Sequence, residues 1–347
     1  MTYLVYVEGI LGVEINQPSF EWSYGTVAPP ASHDDFSACL LKVHIRVRPD
    51  NLVFRDQPMQ STLGRYHYFS ADAGANTIQY ERDFFFGRKL RYCISKHDND
   101  VYVTVGKSYM RFVRHRIMGL HSLAYTLTDL VSGMLLQNGV ATLHCSAFGT
   151  KSQNIVCFAP PNTGKTLTAM QLCLNHGFDF IAEDFALTDG VNLWSVPWTS
   201  TFRYYDAINE SAVARLVNRV TRFIPVLELV TTTKPRPVDT YFDSSRIRQT
   251  SVATDVVLLE RGSSDSDQDK SEGLRKAINL NRYEFNFHKA PSVVVMDYFN
   301  PGFSPVNMAE EESRILGTLI ENCVFWRLRE PSALLFTDAV LEKVVRE

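Results

Sequence analysis

Hydrophobic and polar residues alternate along the first third of the chain. Residues 42–47 read Lys-Val-His-Ile-Arg-Val, a period of two that is typical of a strand with one buried face and one solvated face. Similar runs, rich in aromatic and β-branched residues, recur about every ten residues over 3–7, 39–47, 65–70, 77–86, 89–95 and 101–105. We predict a mainly antiparallel β region over residues 1–115, with a docking or structural role.

The hydrophobic period changes after this region. Leu, Val and Met recur at three- and four-residue spacing from Leu120 to Leu135, and Gly139 follows, which predicts a buried helix that ends there. Strands are then expected over 141–148, 155–159 and 178–182, and a helix over 166–176. This order is typical of an α/β fold with helices packed on a mixed sheet, so we assign residues 116–347 to one such domain.

Local patterns assign the segments further along the chain. Apolar runs predict strands over 255–260 and 292–296, and amphipathic spacing predicts helices over 207–223 and 307–323. Asn307 followed by Glu310 resembles a capping box at the start of the last helix. Residues 231–237, with two prolines, and residues 261–273, rich in Ser, Asp and Lys, are expected to form loops.

Composition narrows the class of protein. The net charge is −3, whereas a nucleic-acid binder is usually basic. No run approaches the roughly 18–20 apolar residues that cross a bilayer, and the N-terminus has Glu8 and no basic start, unlike a signal peptide. The six cysteines are scattered, with no Cys-x-x-Cys pair. We therefore expect a reduced cytoplasmic protein with no zinc site, no membrane segment and no nucleic-acid partner, and leave a homo-oligomer open.

The segment that follows the expected strand 155–159 matches the Walker A pattern. Residues 159–166 read Ala-Pro-Pro-Asn-Thr-Gly-Lys-Thr, and a helix is expected directly afterwards. In such a loop the backbone N–H groups and the helix N-terminus bind phosphate oxygens. Lys165 is expected to reach the β- and γ-phosphates, and the Thr166 hydroxyl to bind Mg²⁺. The expected nucleotide-binding residues are Pro161, Asn162, Thr163, Gly164, Lys165, Thr166 and Leu167.

Four further residues are candidates for chemistry. Glu183 and Asp184 end the strand after the loop helix, where carboxylates suit a Mg²⁺ ligand and a base for an attacking hydroxyl. His144 lies on the strand before the loop and could orient an acid, although a lone His in an apolar strand is usually structural. Arg203 could return to the phosphates, but several other arginines compete for that role.

Residues 143–184 resemble the catalytic core of the HPr kinase/phosphorylase family. The shared order is Leu143-His144-Cys145 on a strand, a Walker A loop, a helix that ends at Gly177, and a strand that closes on Glu183-Asp184. The resemblance implies a phosphoenolpyruvate-carboxykinase-like P-loop fold. It also implies that Lys165 and Thr166 bind phosphates and Mg²⁺, that the two acids supply a metal ligand and a base, and that His144 assists them.

This sequence departs from the family pattern in two places. Asn162 stands where the family has glycine, and Glu183 replaces the first of two aspartates. Asn tolerates positive φ better than most residues, so the loop shape can survive. The Gly-rich stretch that serves HPr docking and phosphorylase activity is not found. We therefore expect a relative with a different acceptor.

Together these patterns predict an ATP-dependent, Mg²⁺-dependent kinase. Asp184 is the expected base and His144 its neighbour, with Thr166, Glu183 and Asp184 as candidate metal ligands. The acceptor is expected to be a hydroxyl on a protein, a peptide or a small metabolite. Two alternatives stay open, namely a nucleotide-dependent switch without an acceptor, and phosphorylase-type reverse transfer.

Overall fold

The computed structural model describes residues 1–17, 22, 24, 28–53, 61–63, 66–70, 77–84, 87–113, 123–198, 238, 241–299 and 302–346. Within these residues the chain is an α/β protein with mixed sheets. Arg203, the helix predicted over 207–223 and the loop predicted over 231–237 lie outside the described residues. Among the described helices, none is long and apolar enough to span a membrane.

The described N-terminal residues form an eight-stranded sheet of order β1-β2-β3-β8-β7-β6-β5-β4. Most neighbours are antiparallel, but β3 pairs with both β2 and β8 in parallel. The strands are β1 (Thr2–Val7), β2 (Leu11–Ile15), β3 (Leu41–Arg48), β4 (Ser61–Leu63), β5 (Tyr66–Ser70), β6 (Thr77–Phe84), β7 (Arg88–His97) and β8 (Asp100–Gly106).

The parallel pairs differ from the expected meander for a local reason. All five residues of β2 are buried, so this strand lacks the alternation that signals one wet face. The chain then passes through helix α1 (His33–Ser37), which Ser32 caps, before it enters β3. Because a helix intervenes, β3 can lie parallel to β2. In β3 the expected alternation is present, with Leu41, Val43 and Ile45 fully buried.

The remaining strands form two smaller sheets. A six-stranded sheet has the order β12-β10-β11-β16-β18-β17, and a four-stranded sheet has the order β15-β14-β13-β9. Their strands are β9 (Ala141–His144), β10 (Ser146–Gly149), β11 (Asn154–Phe158), β12 (Asp179–Ala182), β13 (Phe185–Thr188), β14 (Asn192–Ser195), β15 (Thr250–Val252), β16 (Asp255–Arg261), β17 (Asp265–Asp267) and β18 (Val324–Glu330).

Two stretches of chain pass between the six-stranded and the four-stranded sheet, one in each direction. Strands β9 and β10 are separated only by Cys145, and strands β12 and β13 only by Glu183 and Asp184. The Cys145 N–H donates to the Asp184 carbonyl at 3.2 Å. The Ser146 hydroxyl donates to the Glu183 carbonyl at 2.6 Å. The two crossings are thereby joined to each other.

Helices cover these sheets. They are α2 (Lys107–Val113), α3 (Leu123–Gln137), α4 (Lys165–Asn175), α5 (Lys270–Glu284), α6 (Pro291–Phe299), α7 (Pro305–Asn322) and α8 (Phe336–Lys343). In α3 the predicted stripe is buried, with Leu127, Leu130 and Met134 inaccessible to solvent. The chain leaves α3 at Gly139, which adopts a φ of 74°.

Three downstream predictions need correction. Residues 292–296 belong to α6 rather than to a strand, since a short apolar run does not distinguish a buried helix from a buried strand. Ser304, not Asn307, caps α7, with Pro305 in its first turn. Residues 261–273 are not one loop, because they contain β17 and the start of α5, where Asp269 accepts from the Glu272 N–H at 3.1 Å.

One apolar core joins the N-terminal sheet to the rest of the chain. Val43 and Ile94 of that sheet belong to the same buried cluster as Leu130 of α3 and Leu143 of β9. A polar contact also crosses this boundary, because the Tyr24 hydroxyl lies 2.9 Å from the Thr142 hydroxyl of β9. The strand that carries His144 is thus supported from the N-terminal half.

A buried carboxyl on α3 makes stability depend on pH. Asp129 accepts from the Asn286 N–H at 3.2 Å, and burial raises the pKa of its carboxyl to about 7. Because the folded state then binds the proton more tightly than the unfolded state, stability falls as pH rises from about 4 to 7. We predict that Asp129→Asn, which keeps the acceptor, stabilises the protein by about 1–2 kcal/mol at pH 8 and by much less at pH 5.

Urea unfolding at the two pH values measures this difference. Asp83→Asn on β6, at an exposed position, serves as the matched control and is expected to change stability equally at both. An equal effect of Asp129→Asn at pH 5 and pH 8 would contradict the prediction.

Candidate active site

The Walker A residues form a loop between β11 and α4. Asn162 adopts a φ of 61° and Gly164 a φ of 126°, both in the left-handed region. The Thr163 N–H donates to the Pro160 carbonyl at 3.2 Å, and the Thr168 N–H donates to the Gly164 carbonyl at 2.9 Å. Asn therefore adopts the conformation for which glycine is the usual choice.

Gly164 also meets a steric limit. A Cβ atom at this position would lie 2.8 Å from the Cβ of Ala333, which belongs to the short helical turn Ala333–Leu335 that precedes α8. Glycine at this position is thus required both by the backbone angle and by the close approach of Ala333. The turn after β18 contributes to the shape of the loop.

Lys165 begins α4 and is 7% exposed. Its Nζ lies 4.0 Å from Asp184 Oδ1 and has no hydrogen-bond partner among the described residues. A buried ammonium group with unsatisfied donors is unfavourable, so this position suits an anionic group that would accept from it. The loop above it offers backbone N–H groups to the same kind of ligand.

Glu183 is fully buried beside the start of α4. The Thr166 hydroxyl bonds to its carboxylate, whereas burial and then the neighbouring Asp184 charge raise the pKa of Glu183 to about 8. Two carboxyl groups this close in a low dielectric cannot both ionise easily. In the absence of a cation, Glu183 therefore takes up a proton more readily than an isolated glutamate does.

Asp184 lies between His144 and Lys165. Its Oδ1 is 3.4 Å from His144 Nδ1 and 4.0 Å from Lys165 Nζ. Burial raises the pKa of Asp184, and the charge of Lys165 opposes that rise. Burial, with the Lys165 charge as a second cause, lowers the pKa of His144 to about 3, so its imidazole is neutral at pH 7.

The structure thus brings together five of the residues that the sequence singled out. His144, Lys165, Thr166, Glu183 and Asp184 converge where the chain crosses between the two smaller sheets, next to the end of β9 and the end of β12. Pro161 and Asn162 are exposed in the loop, and Leu167 is partly buried on α4. Arg203 lies outside the described residues, so its role stays a prediction.

Two residues at the end of α5 were missed by the sequence analysis. Asn281 accepts from the His144 N–H at 2.8 Å. Glu284, one turn further along α5, has an exposed side chain. Its pKa is nevertheless raised, first by desolvation and then by the Asp184 charge. No local motif marks either residue, because they approach the site only through the packing of α5 on β9.

The oxygen ligands present here suit Mg²⁺. Two carboxyl groups and the Thr166 hydroxyl lie together, and Mg²⁺ is usually held by one or two carboxylates with water and substrate phosphates rather than by an all-protein cage. The described part of the chain contains no group of three or more His, Cys, Asp or Glu residues placed to hold a metal ion.

A separate cavity of about 540 Å³ lies between α5 and the first turns of α7 and contains none of these five residues. It is lined by Arg282, His288, Pro305, Val306, Ala309, Glu310 and Ser313. The candidate chemistry is therefore at the strand crossings and not at this cavity.

No model of a known protein family matches the sequence. A comparison with curated proteins likewise returns no significant match. The geometry of the loop and of the residues around Asp184 therefore carries the functional argument.

The close approach of Ala333 to the loop predicts the effect of adding one methyl group at position 164. Gly164→Ala adds a Cβ that meets Ala333 and disfavours a φ of 126°. We predict that it weakens Mg-ATP binding at least about tenfold, since a left-handed non-glycine residue alone costs about 1–2 kcal/mol. Isothermal titration calorimetry at a temperature where the variant is folded measures this change.

Gly302→Ala is the matched control, because nothing lies within 4 Å of its added Cβ. It is expected to leave the dissociation constant unchanged. Equal dissociation constants for Gly164→Ala and the wild type would show that the loop conformation is not needed for the nucleotide.

Proposed function

We propose that this chain is a Mg²⁺-dependent kinase that transfers the γ-phosphoryl group of ATP to a hydroxyl group. The observation that carries the proposal is the position of Asp184, 3.4 Å from His144 Nδ1 and 4.0 Å from Lys165 Nζ, directly after the Glu183–Thr166 pair. The proposed base Asp184, the ammonium group of Lys165 and the Thr166–Glu183 pair then lie around one point at the end of the Walker A loop.

The proposal includes an HPr-kinase-like P-loop fold, which is the fold of the family that the sequence resembles. Its support is the order of the elements. Strand β11 leads into the loop and α4 follows it, β12 closes on the two acids, and β9 carries His144. Parallel pairing of β11 with β16 puts the loop at the carboxyl end of adjacent strands, where open α/β sheets bind ligands.

The loop binds the phosphates of ATP through its backbone N–H groups and the N-terminus of α4. The buried Nζ of Lys165 has no hydrogen-bond partner among the described residues, so its donors are available to the phosphates. Its ammonium group faces the transferred phosphoryl group and stabilises the negative charge of the transition state. The same charge keeps Asp184 closer to its ionised form.

Thr166 and Glu183 are the residues that would hold Mg²⁺, since they already bond to each other beside the loop. Bound Mg²⁺ supplies neutralisation of the β- and γ-phosphate oxygens. The Glu183 carboxylate would be an oxygen ligand of the Mg²⁺ ion. Its side chain is one methylene longer than that of aspartate and follows directly after the buried end of β12.

Asp184 accepts the proton of the acceptor hydroxyl. A base works best when its pKa lies near the working pH, and burial raises the pKa of this carboxyl above its usual value. His144 is neutral at pH 7 because burial lowers its pKa to about 3. It therefore orients the carboxylate without adding a second positive charge, which would lower the basicity of Asp184.

The expected effects of substitution differ among these residues. Asp184→Asn keeps the side-chain volume and removes the base, so we predict a fall in kcat of about 10²–10⁴-fold, with the dissociation constant for Mg-ATP within about threefold of the wild type. Lys165→Ala is predicted to abolish nucleotide binding itself. Transfer from γ-labelled ATP to components of a cell extract, resolved by mass spectrometry, measures the first effect, and calorimetry measures the second.

The same assay separates the kinase from a nucleotide-dependent switch and from reverse transfer. Label that appears only in inorganic phosphate, and disappears in Asp184→Asn, would replace the kinase by a hydrolase or switch. Release of label from phosphorylated extract components by added inorganic phosphate would indicate reverse transfer instead.

A further inference from the structure

Among the described residues, strand β9 lies at the edge of the four-stranded sheet and pairs with β13. Its other edge is bonded by a side chain. Asn281, which is 1% exposed on α5, accepts from the His144 N–H at 2.8 Å and donates to the Thr142 carbonyl at 2.9 Å. A carbonyl and the N–H two residues later point to the same side of a strand. The Asn281 amide thus replaces one peptide unit of a missing neighbouring strand.

A further hydrogen bond, to α7, fixes the orientation of the Asn281 amide. The Asn281 Nδ2 also donates to Glu312 Oε1 on α7 at 2.7 Å. A flipped amide would place its oxygen against both the Thr142 carbonyl and the Glu312 carboxylate, and its N–H₂ against the His144 N–H. Only one orientation satisfies all three groups.

Glu312 is itself held in place. Its side chain is fully buried, and Arg282 Nε donates to its Oε2 at 2.6 Å. Arg282 Nη2 donates to the Ala309 carbonyl at 2.7 Å and to the Ser313 hydroxyl at 3.0 Å. The Arg282 side chain is 31% exposed, so the ion pair is only partly buried. Such a pair adds little stability over an apolar pair of the same volume, so its presence is better explained by the geometry that it imposes.

These contacts lead to His144 and Asp184, two candidates for catalysis. His144 is the last residue of β9, and its imidazole lies 3.4 Å from Asp184. Phe285, at the end of α5, stacks edge-on against Phe185 with a centroid distance of 5.2 Å, and Phe185 makes the same kind of contact with the His144 ring at 6.2 Å. The end of α5 therefore contacts both the backbone of His144 and, through one ring, its side chain.

We propose that Asn281 is a positioning residue for the phosphoryl transfer, and that Glu312 and Arg282 fix its amide so that β9 holds His144 beside Asp184. The inference rests on the proposed kinase function. It adds a chain of contacts from Arg282 through Glu312 and Asn281 to His144, whose hydrogen bonds run among α5, α7 and β9. A change in this chain is therefore expected to affect transfer more than nucleotide binding.

Three nearly isosteric variants test the direction of these hydrogen bonds. Asn281→Asp can still accept from the His144 N–H, but it cannot donate to Thr142 and it meets the Glu312 carboxylate. We expect kcat to fall about 10–100-fold, with the dissociation constant for Mg-ATP within about threefold of the wild type, since a misplaced catalytic group has this scale of effect. Glu312→Gln alone can still accept from Asn281 only if its N–H₂ faces the Arg282 Nε donor, so it loses the bond to Arg282 and is expected to lower kcat, but less than Asn281→Asp does.

The double variant Asn281→Asp with Glu312→Gln is the decisive member of the set. The introduced glutamine amide can donate to the introduced aspartate and remove the repulsion, so kcat is expected to recover at least about fivefold over Asn281→Asp alone. Asn307→Asp, an exposed isosteric change on α7, is the matched control and is expected to be neutral. The assays use γ-labelled ATP with glycerol and L-serine as hydroxyl probes, well below the melting temperature of every variant.

A second readout does not require transfer. The imidazole ¹⁵N resonances of His144, assigned by their loss in His144→Gln, are expected to move in Asn281→Asp and to return in the double variant. Unmoved resonances, or a kcat in Asn281→Asp equal to the wild type, would overturn the positioning role. Wild-type protein that binds Mg-ATP and labels neither these probes nor any component of a cell extract, while the resonances still move and return, would instead refute the kinase and retain the positioning of His144.

Discussion

The candidate site depends on the hydrogen bond between the Cys145 N–H and the Asp184 carbonyl. It joins two stretches of chain at the points where they cross between the six-stranded and the four-stranded sheet. At such a crossing the pleat is interrupted, so consecutive side chains need not point to opposite faces. Glu183 and Asp184 can therefore both face the site, one bonded to Thr166 and the other beside His144 and Lys165.

Burial determines the electrostatics of this crossing. Lys165, Glu183 and Asp184 lie within one poorly solvated region, where burial raises the pKa of both carboxyl groups and the Lys165 charge opposes that rise. The arrangement is unfavourable for stability, because ionised groups lose hydration there. It is favourable for an anionic ligand, because such a ligand supplies the hydrogen-bond acceptors that Lys165 Nζ lacks among the described residues.

The sequence predicted those residues of the candidate site that lie close together in the chain. The Walker A loop, the paired acids and His144 lie within about forty residues of one another, and their spacing predicted a common site that the structure assembles. Asn281 and Glu312 lie far downstream and reach β9 through helix packing, which no local pattern encodes. The wrong assignment of residues 292–296 has the same origin. Their run of apolar residues fits either a buried strand or a buried helix, and only the packing of α6 decides between the two.

The approach of Ala333 to Gly164 has an evolutionary consequence. These two positions are distant in the chain, yet the Cβ of Ala333 lies 2.8 Å from the point that a Cβ at position 164 would occupy. We therefore expect the residue types tolerated at 333 to depend on the shape of that loop. In homologous sequences, small residues at 333 would be expected to accompany glycine at 164, and covariation between the two would mark chains that retain a working loop.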